Sequence, residues 1–188
     1  MIGGNIGFQT FYTSKEQSNS PLITEIIKLG KILDKNDPGK EIRSLTMSLR
    51  YGKRLIINSD YDDIGGIKRE EILEIIDYDP VKKNLLVIGP CQPKIESSIH
   101  WMIHHARDEV NVVVQLNGEK IINKFQGKIP ETENDYLLTS FEMIKDVLKK
   151  LKDNTGVLIK NHGVIFVYNN YKDIDKQILN ILKNGDIK

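Results

Sequence analysis

Apolar residues recur along this chain with two periods, and the period decides each element. Leu22, Ile23, Ile26, Ile27 and Leu29 fall at helical spacing and predict a helix over 22–33, which Asp37-Pro38-Gly39 stops and turns. Residues 44–58 alternate instead, predicting strands at 44–49 and 54–58 around Tyr51-Gly52-Lys53, a hairpin with a glycine-containing loop. Residues 68–75 read as a short helix with Glu70 and Glu71 in its first turn, where the macrodipole favours acids, and Asp77-Tyr78-Asp79-Pro80 reads as a turn. A buried strand is predicted at 85–88. Pro93 then suits a helix entrance, and Ile95, Ile99, Met102 and Ala106 form one apolar stripe. The run 110–114, β-branched and nearly all apolar, predicts a strand covered on both faces that carries Gln115 and Asn117 to the end of a sheet.

Residues 118–130 read as irregular, with a short strand at 121–122. Leu137, Phe141, Ile144, Leu148 and Leu151 alternate four- and three-residue steps, predicting an amphipathic helix whose stripe is core. Strands at 156–159 and 164–168 flank Lys160-Asn161-His162-Gly163, which puts His162 in a tight connection. The last helix, 171–183, is predicted to open at Asn170 with Asp173 three residues on, much like a capping box, and to stop before Gly185. Residues 1–20 hold Gly3-Gly4, Gly7 and a Ser/Asn-rich end and read as an N-terminal arm, with an early strand as one option. Residues 21–188 read as a single domain.

Bulk properties then exclude several classes of partner. A chain of 188 residues buries a core without staples. Its net charge is +1 with both signs interspersed, so it offers no electrostatic footprint for nucleic acid or an anionic membrane. Cys91 is the only cysteine, which excludes an internal disulfide and suits a reducing compartment. The N-terminus lacks an apolar run, and no segment has the length of a membrane span. A cytoplasmic location is the expectation.

Candidate chemistry concentrates in 93–117. Glu96, His100 and His104 follow at four-residue steps, which lines a carboxylate and two imidazoles along one helical edge. A chelating imidazole pair is conceivable there, and a hydrogen-bonded structural pair is the expectation. Glu96 itself reads equally as an acid/base group and as an ordinary acid in a first helical turn. Asp60, Asp62 and Asp63 match no complete calcium loop and read as a solvated turn. Cys91 reads as a passive thiol and Trp101 as a core or interface aromatic. No nucleophile motif is present.

The gap-free spacing from Glu96 through His100 and Arg107 to Gln115 and Asn117, together with Asn161-His162-Gly163, resembles the class II aldolase and adducin family across roughly residues 22–182. The resemblance implies a three-layer α/β/α domain around a largely antiparallel sheet, and a homo-oligomer, commonly a tetramer. It also places Glu96 at the family's acid/base position and His162 at the third ligand of the family's zinc. Gln115 and Asn117 occupy the positions of the two other zinc-binding histidines. In Leu45-Thr46-Met47-Ser48-Leu49-Arg50 the family's Ser and Arg remain, while its phosphate-holding Gly-Asn pair is gone. Ser59 stands where a loop hydroxyl grips the substrate phosphate, but the neighbouring carboxylates would repel a dianion.

Catalytic zinc normally has three protein ligands and an open fourth position. With one imidazole left, at His162, the expectation is no cofactor beyond a weakly held divalent cation such as magnesium or manganese. The sequence therefore reads as a divergent relative without zinc aldolase activity. It keeps a polar pocket of Ser59, Glu96, Gln115, Asn117 and His162 for a small molecule or a partner. The alternative is a lyase or epimerase acting on a small hydroxy-carbonyl compound, a sugar or sugar phosphate, with Glu96 and a divalent ion.

Overall fold

A computed structural model describes residues 7–59 and 63–185; the readings at Gly3-Gly4, Asp60 and Asp62 lie outside the described residues. The centre is an eight-stranded sheet built from β1 (Gln9–Ser14), β2 (Ser44–Tyr51), β3 (Arg54–Asn58), β4 (Ile72–Asp79), β5 (Asn84–Ile88), β6 (Val112–Asn117), β7 (Gly156–Ile159) and β8 (Gly163–Tyr168). The strands lie in the order β1-β5-β4-β3-β2-β6-β8-β7. Among the described strands only the β1–β5 pair is parallel, so the sheet is largely antiparallel. Its β7 edge is closed by the preceding loop, where Leu158 N–H donates to Pro130 O at 2.8 Å and Leu158 O accepts from Thr132 N–H at 2.9 Å. That closure removes an open template for strand addition.

Helices α1 (Ile23–Asn36), α3 (Glu119–Phe125) and α5 (Ile174–Asn184) cover one face, while α2 (Ser97–Ala106) and α4 (Phe141–Leu151) cover the other. The result is the expected three-layer α/β/α arrangement. Strand β6 shows why both faces must be covered: Val112, Val114 and Leu116 pack under α1 and α3, while Val113 packs under α2 and α4. On the α1 side the apolar contacts form one continuous cluster across the sheet. On the α2 side they form two, one around β6, β7 and β8 and the other around β3, β4 and β5 with Trp101. Strand β2 contributes to neither of these, because its residues on that side are Thr46, Ser48 and Arg50.

Several local expectations change. Residues 72–79 form a central strand with only a short 3-10 turn (Arg69–Glu71) before it, where a helix and then a turn were predicted. Ile72, Leu73, Ile75 and Ile76 fit either period, and pairing to β3 and β5 on both sides decides for the strand. Residues 119–125 form α3, not an irregular stretch, because Ile121 and Phe125 reach the core from one helical face. Helix α4 starts at Phe141, where Ser140 Oγ accepts from Met143 N–H, so Leu137 (85 % exposed) and Phe141 (63 %) drop out of the predicted core stripe. In α2, Ala106 is exposed and Ile103 is buried in its place. Helix α5 opens at Asp173 without a side-chain cap.

Candidate functional site

Glu96, Gln115, Asn117 and His162 come from segments that meet at one end of the sheet, the start of α2, the end of β6 and the turn before β8, with the start of β2 beside them. The alternation of β2 turns Thr46, Ser48 and Arg50 toward α2, and that of β6 turns Gln115 and Asn117 the same way. A polar seam therefore runs beneath α2, which lays Glu96, His100 and His104 over it.

Arg50 fixes the inner end of the seam. Its guanidinium donates to Val110 O at 3.0 Å, to His104 O at 2.5 Å and to Arg107 O at 3.2 Å, satisfying carbonyls that the end of α2 leaves open. Val110 O also faces His104 Nδ1 at 3.0 Å. A carbonyl can only accept, so this nitrogen carries the imidazole's proton and Nε2 is the acceptor. Ser48 Oγ then donates its one hydrogen to His104 Nε2 at 2.9 Å and accepts from His100 Nδ1–H at 2.8 Å.

Both rings are buried in this neutral form. Burial, with His104 and Lys94 nearby, pushes His100 well below its ordinary range. Burial also holds His104 down to about 3, against the opposing bond to Val110. His100 Nε2 and Gln115 Oε1 are buried without a hydrogen-bond partner, as are the hydroxyls of Thr46, which lies opposite Gln115 in the β2–β6 register, and of Ser97.

At the outer end, Gln115 Nε2 donates to Asn117 Oδ1 at 3.0 Å and Asn117 Nδ2 donates to Glu96 Oε1 at 3.2 Å. Glu96 occupies the N-cap of α2 without capping it, so its carboxylate is turned to Asn117 and not to the helix's own amides. Next to it, the buried Lys94 ammonium donates to Leu45 O at 2.8 Å and to Ser44 Oγ at 3.2 Å. Asn58 completes this corner by accepting from Met47 N–H at 2.7 Å and donating to Leu45 O at 2.8 Å.

His162 sits in the turn before β8, where Asn161 takes a left-handed φ of 61°. Gly163 follows because it touches β6 directly: a Cβ there would lie 2.1 Å from Asn117 Oδ1. The imidazole is committed elsewhere, since His162 Nε2–H donates to Tyr136 O at 2.9 Å, with Asp135 Oδ1 3.6 Å away. The same loop holds the rest of the turn through Asn161 Nδ2 to Asp135 Oδ2 at 2.7 Å and Lys160 Nζ to Glu133 O at 2.8 Å. Glu96, Gln115 and Asn117 thus form one bonded chain, and His162 belongs to a neighbouring network.

Ser59 belongs to a third set, its hydroxyl bonded to the half-buried Cys91 thiol, which burial pushes up. Among the described residues, no three His, Cys, Asp or Glu side chains gather as a metal ion would require. A cavity of about 320 Å³ lies on the opposite face, lined by Leu33, Asp37, Ile121, Lys124, Leu179 and Leu182 among others, and none of the candidate residues reaches it.

Sequence reasoning found the Glu96, Gln115 and Asn117 positions and named Ser48 and Arg50, but not the bonds of those two to the histidines and to the end of α2, nor the buried Lys94. The signal for that bonding was the strict alternation Leu45-Thr46-Met47-Ser48-Leu49-Arg50, which puts three polar residues on one face of a central strand.

No family model matches this sequence, and no curated protein matches it. Solved structures do. An L-fuculose 1-phosphate aldolase superposes with a TM-score of 0.66 at 18 % identity, covering 91 % of this chain and 90 % of its own. A sugar-phosphate aldolase from Thermotoga maritima gives 0.63 at 14 % identity over 88 % and 97 %. The l-fuculose-1-phosphate aldolase from Thermus thermophilus gives 0.61 at 13 % identity over 89 % and 97 %. The chain has the class II aldolase fold.

Proposed function

We propose that this chain is a class II aldolase-like protein without zinc-dependent aldolase activity, and that its Glu96–Asn117–Gln115 cluster holds a small polar ligand. The observation that carries this reading is the set of partners at the three positions to which the resemblance assigns zinc-binding imidazoles. Two are amides bonded to each other, Asn117 also donating to Glu96, and the third, His162, donates Nε2–H to a backbone carbonyl. Neutral amide oxygens are hard, weak donors for zinc, so this donor set does not fit that ion. No reaction step is routed through a metal.

A second reading is favoured by Glu96 alone, whose mostly buried carboxylate is oriented by Asn117 at a helix start. In that reading Glu96 still moves a proton on a hydroxy-carbonyl compound. Isothermal titration with zinc separates the readings, comparing the native chain with the Gln115→His/Asn117→His variant. The expected result is no saturable zinc binding to the native chain and a gained site in the variant. Stoichiometric zinc on the native chain, or retro-aldol turnover that disappears in Glu96→Gln, would overturn the first reading.

A further inference from the structure

Four side-chain atoms beneath the start of α2 are buried without a hydrogen-bond partner: Thr46 Oγ1, Ser97 Oγ, His100 Nε2 and Gln115 Oε1. Their residues are 0 % or 1 % exposed, so bulk solvent reaches none of them. Buried polar atoms rarely stay unpartnered, and the bonds around these four bring them together. Helix α2 is tied to the sheet at two points, through Asn117 Nδ2–H to Glu96 Oε1 and through His100 Nδ1–H to Ser48 Oγ. In the β2–β6 register Asn117 stands opposite Ser44 and Gln115 opposite Thr46, so the Thr46–Gln115 pair lies between the two ties on the same face. Over that pair, Ser97 and His100 follow at a three-residue step along the helix edge that also carries His104. His100 spends Nδ1 on Ser48, the next residue after Thr46 on that face, and keeps Nε2 for the space between.

The chemistry of the four atoms selects what fits among them. Two can only accept: Gln115 Oε1 and, with the ring's proton on Nδ1, His100 Nε2. The other two are hydroxyls, each with one hydrogen to give. Two acceptors and two donors are the complement of one water molecule, which donates twice and accepts twice. An ammonium ion fits less well. It would leave both hydroxyl hydrogens unused, and it would set a second positive charge near the buried Lys94 ammonium, which is bonded to Ser44 Oγ one step along the same face of β2.

We propose that a single buried water binds between Thr46, Ser97, His100 and Gln115, giving its hydrogens to His100 Nε2 and Gln115 Oε1 and accepting from the two hydroxyls. The water then decides which way round the Gln115 amide lies. With Oε1 held to the water, Nε2 faces Asn117 Oδ1, and Asn117 in turn presents Nδ2–H to Glu96. Thr46 and Ser97 are therefore positioning residues for the Glu96 carboxylate, acting through the water and two amides. That this orientation serves a ligand rests on the ligand-binding reading above, whereas the water site does not.

Neutron diffraction from native crystals exchanged into heavy water tests the site. The expected density is one water within about 3.2 Å of all four atoms, its deuterons aimed at His100 Nε2 and Gln115 Oε1. No density there, a four-deuteron ion, a deuteron on His100 Nε2 or a Gln115 amide lying the other way round overturns the proposal. In solution, Thr46→Val combined with Ser97→Ala removes both hydroxyls. The expected result is a shift of the Asn117 side-chain amide resonances in a chain whose circular dichroism stays native, while Thr46→Ser, which keeps the hydroxyl, leaves those resonances in place. Asn117 resonances that do not move in the double variant, or that move as far in Thr46→Ser, overturn the positioning role. Should the double variant fail to fold, the neutron density of the native chain decides.

Discussion

Ser48 holds one hydrogen between two imidazoles, and both depend on it. Removing its hydroxyl leaves His104 Nε2 without a donor and His100 Nδ1–H without an acceptor in a place bulk water does not reach. Each orphaned buried group costs about 1–3 kcal/mol. Ser48→Ala should therefore lose about 2–6 kcal/mol in urea unfolding, and Ser48→Thr, which restores the hydroxyl, should recover a large part.

The two histidines also give stability a pH dependence with a definite sign. Both are held below their ordinary range in the fold, so the unfolded chain binds more protons once the pH falls beneath about 6.5. Their contribution is fully present above that value and is lost as the pH drops toward the folded value, which for His104 is about 3. Each such group steepens the loss by about 1.4 kcal/mol per pH unit in that window. Urea midpoints measured from pH 7 to pH 4 should show a shallower decline in His104→Phe than in the native chain.

At the level of the element, the periodic segments were legible in the sequence. The 44–58 hairpin, α2, β6 and the β7–β8 pair follow from patterns that tolerate one reading. Residues 72–79 were not, because their apolar spacing satisfies a helix as well as a strand, and only neighbours on both sides choose between them. Helix α3 was lost for its shortness, with two buried side chains and little period to detect. The α4 boundary was lost because a polar cap outweighs an apolar stripe: once Ser140 takes Met143 N–H, Leu137 is outside the helix. Ser140→Ala should cost about 1 kcal/mol by the same measurement. Of the site, the residue positions were legible from spacing, while their bonding was not, because which side chain an amide or imidazole addresses depends on strands far apart in the chain. Gly163→Ala probes that contact, since its methyl would meet Asn117 Oδ1 and Leu116 O. The expected outcome is a lowered melting temperature together with displaced Asn117 side-chain amide resonances.

Across the whole molecule, the seam divides the α2-side core into two clusters, while the α1-side core is continuous. A polar row in that place stabilises the fold only when its members satisfy one another, and apolar residues of similar shape can replace a complete row at little cost. The Ser48→Ala/His100→Leu/His104→Leu chain should accordingly be more stable than Ser48→Ala alone, although it keeps none of the hydrogen bonds among these three side chains. That such a row is present at all is an argument for function, since packing does not require it.

The central claim is the proposal that Gln115, Asn117 and His162, committed to Asn117, to Glu96 and to the Tyr136 carbonyl respectively in two separate networks, hold no zinc ion. Crystals grown in excess zinc and measured at the zinc absorption edge test it most directly. No anomalous peak within coordination distance of Gln115, Asn117 and His162 is expected, whereas a peak with tetrahedral ligation by those three side chains would contradict the claim.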